Sequence, residues 1–166
     1  TIQIKNTINK KKIIIDKLKN HIINKELKEK LNTKYFCMYI KQNNNDKNDL
    51  SFTSTRQTVN SKKIKKLIFY LLKKKFKILL LGENNKKREK FLFYIKNYYL
   101  NNEFKNNIIF LCDLSKDYSF QDQTYSILHS QGFIGNSSGI SNLAYFLRRK
   151  SLLIDLPDNK LSRLYS

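Results

Sequence analysis

The feature that most constrains this chain is an alternation. Short compact apolar runs recur between longer stretches whose apolar residues step by three or four. A short apolar run bounded by turn residues reads as a buried strand, and the longer step reads as an amphipathic helix. The runs Tyr35–Ile40, Phe76–Leu81, Asn107–Cys112, Gly132–Gly135 and Ser151–Leu156 predict five strands, the last stopped by Pro157. Between them, Ile64, Leu67, Ile68, Leu71 and Leu72 form a helical stripe inside 58–75, with Asn60 or Ser61 as cap. Further helices are expected at 86–100 around Phe91, Ile95 and Tyr98, at 119–129, and through Ile140, Leu143, Ala144 and Leu147, opened by Ser137 or Ser138. Strand–helix alternation implies a mostly parallel sheet with helices on both faces. The expected fold is therefore a Rossmann-like α/β domain over 34–166. Ahead of it, 1–33 reads as a helical connector of one or two amphipathic helices carrying Ile4, Ile8, Ile15, Leu18, Ile22, Leu27 and Leu31.

Composition narrows the class. A length of 166 residues suits one domain with its own core plus an appendage. Position 1 is not Met, as expected of a segment of something longer. No apolar stretch approaches the ~18 residues of a membrane span, and no signal peptide is evident. Cys37 and Cys112 lie inside apolar runs and read as small core residues rather than metal ligands or a disulfide. The net charge of +20 points toward a polyanion, either nucleic acid or an anionic membrane. Against this, Lys, Asn and Ile dominate throughout, loops included. The basic residues form no arginine-rich block or tail, so a general compositional bias accounts for the same charge.

Chemistry concentrates at Gly132-Phe133-Ile134-Gly135-Asn136-Ser137-Ser138-Gly139-Ile140-Ser141-Asn142-Leu143-Ala144. Here a strand enters a Gly/Ser loop that opens a helix. Small residues let a ligand approach the backbone closely. The first helical turn offers free N–H groups and the positive end of the dipole, which suits a diphosphate. The serine hydroxyls can add donors, although serine at a helix start is commonly only a cap. The loop is not a Walker motif, since no Gly-Lys-Ser/Thr follows, and the dinucleotide fingerprint belongs to a first strand.

The stretch from Phe133 to Ala144, continuing through Lys150-Ser151-Leu152-Leu153-Ile154-Asp155, resembles the donor-site segment of GT-B glycosyltransferases. It is most similar to a bacterial surface-polysaccharide family of glycosyltransferases, and more distantly to heptosyltransferases. The earlier pattern of Ile40-Lys41, Arg56-Gln57 and Leu79-Leu80-Leu81-Gly82 is similar to the same family, with Lys41 where it carries Arg and Gln57 where it carries Asn. The resemblance spans roughly 34–157. It implies one half of a GT-B fold, the C-terminal donor-binding half, transferring a sugar from a nucleotide diphosphate sugar to a glycan or lipid-linked acceptor in polysaccharide biosynthesis. On that reading Asn136, Ser137, Ser138 and Gly139 bind the donor phosphates, with Arg56 and Lys41 assisting, and Asp113 and Gly82 sit at the nucleotide. The reading needs no cofactor and no metal. It expects the catalytic base from a missing N-terminal domain, a cytoplasmic location, and peripheral contact of the basic surface with anionic membrane at its inner face.

Other residues are read more plainly. Arg56 and Lys41 have ordinary solvated roles as alternatives, and Asp113 could equally be a turn residue. Glu83 follows Gly82 and could line the crevice. Asp117 and Asp122 read as surface charges or caps, His21 has no assigned role, and His129 reads as a structural histidine. The tyrosines and phenylalanines fall in core-like runs. Two rivals stand beside the transferase. A basic nucleic-acid-binding module predicts basic side chains gathered on one face. A non-catalytic α/β interaction domain predicts a crevice filled by side chains.

Overall fold

A computed structural model describes residues 25–41, 61–85, 90–99, 103–115, 119–136 and 138–154. Its centre is a five-stranded sheet, β1 (Tyr35–Tyr39), β2 (Lys77–Leu80), β3 (Ile108–Phe110), β4 (Phe133–Gly135) and β5 (Ser151–Leu153), in the spatial order β3-β2-β1-β4-β5. Every pairing is parallel; in β1, Cys37 lies opposite Leu79 of β2 on one side and Phe133 of β4 on the other. The helices are α1 (Lys25–Lys30), α2 (Ser61–Lys73), α3 (Lys90–Tyr99), α4 (Leu111–Leu114), α5 (Phe120–His129) and α6 (Gly139–Phe146). This is the Rossmann-like α/β architecture expected from the alternation.

The pleat sorts the side chains into two layers. On one face Met38, Ile40, Ile78, Leu80, Ile108 and Ile134 meet Ile64, Ile68 and Leu72 of α2 and Phe91 and Ile95 of α3. On the other, Tyr35, Cys37, Leu79, Leu81, Ile109 and Phe133 meet Leu27, Leu111, Ile127, Ala144 and Leu147. Strands buried on both faces have no polar alternation, which is why these runs look continuously apolar. Leu27 is fully buried in the second layer, so the end of the segment read as a connector packs into the α/β body. The rest of that segment, 1–24, lies outside the described residues, as do Asn60, Asp117 and the chain beyond Ile154.

Element boundaries differ from expectation most clearly after the third strand, while the fifth strand also ends early, at Leu153. The run Asn107–Cys112 is not a strand throughout: β3 ends at Phe110, and Leu111–Leu114 turn into a short helix. The helical step brings both Leu111 and Leu114 into the second layer. Two glycines are fixed by the fold itself. A Cβ on Gly135 would stand 2.5 Å from the Tyr39 carbonyl oxygen and 2.7 Å from the Phe133 ring. Gly82, two residues past the end of β2, has φ 149°, a backbone region that side chains disfavour.

Candidate functional site

The strand order defines a switch point. From β1 the chain moves outward to β2 and β3, then returns across the sheet to β4 on the other side of β1. At such a point the loops leaving two neighbouring strands diverge, and open α/β sheets hold ligands in the resulting crevice. Here the crevice lies between the ends of β1 and β4, where Lys41 and Asn136 emerge. A cleft of about 370 Å³ opens there, lined by Tyr39, Lys41, Phe120, Gln123, Ser138, Gly139, Ile140 and Leu143. Its floor is largely apolar, and among the described residues its lining includes one cation and no acid.

The two strand ends are joined by one side chain. Asn136 is buried, and its carboxamide brackets the Lys41 peptide: the Lys41 N–H donates to Oδ1 at 3.0 Å, and Nδ2 donates to the Lys41 carbonyl at 2.6 Å. The asparagine expected to bind phosphate is thus engaged within the protein. It holds the backbone that carries Lys41 toward the cleft.

Ser138 is the N-cap of α6, which settles the choice between the two serines. It forms a reciprocal capping box: the Ser141 N–H donates to Ser138 Oγ at 3.2 Å, and the Ser138 N–H donates to Ser141 Oγ at 2.9 Å. The box uses the N–H groups of Ser138 and Ser141. Those of Gly139 and Ile140, between them, have no acceptor one turn back in the helix. Gly139 differs from Gly135 in that a Cβ there would meet nothing within 4 Å. The fold leaves open space at the start of α6, and that space belongs to the cleft.

The remaining residues distribute unevenly. Ser137 and Arg56 lie outside the described residues. Gly82 follows β2 and does not line the cleft. Asp113 sits on α4, beyond β3 and two strands from β1, and its carboxylate is taken by Lys96 of α3 at 2.6 and 2.8 Å. His129 packs against Tyr125, with ring centroids 4.2 Å apart. Asp122 donates its backbone N–H to the Ser119 cap of α5 at 3.1 Å. Sequence reasoning missed Tyr39, Phe120, Gln123, Ile140 and Leu143 as cleft residues. Only Tyr39 carried a signal, as an aromatic at the end of a strand whose loop borders the switch point.

Neither cysteine is placed for nucleophilic chemistry. Burial pushes the Cys37 thiol well above its ordinary range, and it donates to the Ser126 carbonyl at 3.3 Å. The Cys112 thiol is also raised, by partial burial and by the neighbouring Asp113 carboxylate. Among the described residues no group of three His, Cys, Asp or Glu side chains converges as a metal site. No helix among them is long and apolar enough to cross a membrane. The fold thus defines the chain as a Rossmann-like α/β domain with a cleft at its switch point. Comparison with family models, curated proteins and solved structures finds no match to this chain.

Proposed function

We propose that this chain is the donor-binding half of a GT-B type glycosyltransferase, taking a nucleotide diphosphate sugar in the cleft beside α6. The observation that carries the reading is the open start of α6. There the Gly139 and Ile140 N–H groups and Lys41 border a cleft whose described lining contains no acid. A diphosphate suits that end of the cleft by charge and hydrogen-bonding, and the apolar floor of Phe120, Ile140 and Leu143 suits the flat part of a nucleotide. In the transfer, the bond between the anomeric carbon and the diphosphate oxygen breaks as the acceptor hydroxyl attacks. Negative charge then grows on the departing diphosphate, and the helix N–H groups and Lys41 stabilise it. The proton lost by the acceptor goes to a base on a facing domain, so this segment alone turns over weakly or not at all.

The open cleft speaks against the non-catalytic rival, which expects side chains to fill it. The test is a thermal-shift series with UDP, GDP, ADP and CMP, repeated on Gly139→Glu and Gly139→Ala. One nucleotide is expected to stabilise the protein by about 2.7 kcal/mol at a hundredfold excess over Kd. Gly139→Glu abolishes that shift by placing a carboxylate in the open space, while Gly139→Ala folds normally. If none of the four nucleotides stabilises the chain, the donor-site reading is wrong.

A further inference from the structure

The helical layer formed by α2 and α3 is buried on its inner side and unusual on its outer side. Seven large apolar side chains are exposed among the described residues, and four of them lie on this one layer: Phe69, Tyr70, Tyr94 and Tyr98. On α2 they share a stripe with lysines spaced by four, Lys65–Phe69–Lys73 and Lys66–Tyr70–Lys74, opposite the buried stripe of Ile64, Ile68, Leu71 and Leu72. The ammonium groups lie over the rings. Lys65 Nζ is 4.7 Å from the centre of Tyr94 and 3.9 Å from that of Tyr98, which joins α2 to α3, and Lys73 Nζ is 4.6 Å from the Phe69 ring. From Ser61 to Lys75 the sequence carries seven lysines and no acid. The α3 residues Lys90–Tyr99 carry no acid either.

We infer that this outer face of α2 and α3 docks on an anionic lipid surface. Three observations favour lipid headgroups over a nucleic acid strand. The face is the convex outside of two helices rather than a groove that follows a backbone. Its cations are all lysines, which act as point charges on flexible stems and lack the planar fork that pairs with phosphates and stacks on bases. Its rings carry ammonium groups on their faces, where bases would stack. Tyrosine and phenylalanine flanked by lysines is the chemistry of a headgroup layer: the rings settle at the interface and the ammonium groups meet lipid phosphates. The inference is independent of what the cleft binds, because α2 and α3 supply none of the cleft's lining.

The test is flotation of the whole chain with phosphatidylcholine vesicles and with phosphatidylcholine–phosphatidylglycerol vesicles, at low and high salt. The comparison includes Lys66→Glu/Lys73→Glu/Lys74→Glu and the charge-preserving Tyr70→Ser/Tyr98→Ser. All of these positions are on the outer surface, and circular dichroism checks that the variants remain folded. Binding only to the anionic vesicles is expected, with at least a tenfold loss in the lysine variant and a smaller loss in the tyrosine variant. Equal binding by both variants and the parent would overturn the proposal, because the distributed charge of the chain would then suffice. So would a single-stranded oligonucleotide that displaces the protein from vesicles and depends on the same side chains.

Discussion

The two layers on either side of the sheet differ in kind. The buried hydrophobic cluster under α2 and α3 consists of aliphatic and aromatic side chains with one thioether, Met38. The seven buried polar residues among the described ones, Ser115, Thr124, Ser126, Ser130, Asn136, Ser138 and Ser141, fall in the stretch from the end of α4 to the first turn of α6. There Tyr35 donates to the Ser126 carbonyl at 2.7 Å, Arg149 donates to the Ser130 carbonyl at 3.1 Å, and Asn136 brackets Lys41. Hydrophobic burial is non-directional, so the first layer can supply stability without fixing any one geometry. Buried hydrogen bonds are directional and costly to leave unmade, so the second layer fixes where the ends of β1 and β4 stand. The division of labour is physical: one side holds the sheet, and the other aims its loops.

That comparison can be broken by substitution. The largest effect is expected in the apolar layer: Ile68 is fully buried, and Ile68→Ala leaves a cavity costing about 2–5 kcal/mol, read by urea unfolding, with nucleotide recognition by the folded fraction unchanged. Asn136→Ala should cost less, about 1–3 kcal/mol, because it strands the Lys41 N–H and carbonyl without their partner. Unlike Ile68→Ala, it should weaken nucleotide binding by more than the stability loss accounts for. If the two variants behave alike in the thermal-shift series, the layers are not separable. The smallest effect concerns pH. Cys37 keeps its proton in the folded chain above the ordinary thiol value of 9.0, where the unfolded chain has lost it. The stability it contributes is fully present below that pH and declines as pH rises beyond it. The fall in Tm between mildly alkaline and strongly alkaline buffer should therefore be shallower in Cys37→Ala than in the parent.

The sequence revealed the apolar skeleton more clearly than the site. Each strand was visible as a compact run, and the stripe of Ile64, Ile68, Leu71 and Leu72 marked α2 because helix periodicity is local. The run Asn107–Cys112 could not be divided, since a strand and the first turn of a buried helix are equally apolar. The Lys96 partner of Asp113 lies 17 residues away and is defined only by the packing of α3. The cap of α6 was readable only as Ser137 or Ser138, because a serine at a helix start is a local pattern; the hydrogen bonds with Ser141 select Ser138. Phe120 and Gln123 were not readable as cleft residues. They reach the cleft because the start of α5 lies beside the start of α6, and no local spacing encodes that.

The bracket between Asn136 and Lys41 links residues 95 positions apart. Closing so long a loop costs conformational entropy before any contact repays it, so pairings of this span form late. The β1–β2 pairing, with its single helical crossover, can assemble while the chain is still being synthesised. The β1–β4 pairing needs Phe133–Gly135, which lie about a hundred residues further along the chain than β1. The strands that build the scaffold, β1 and β2, come early in the chain and Asn136 late, so a chain truncated before that residue lacks the bracket that ties the end of β4 to the end of β1.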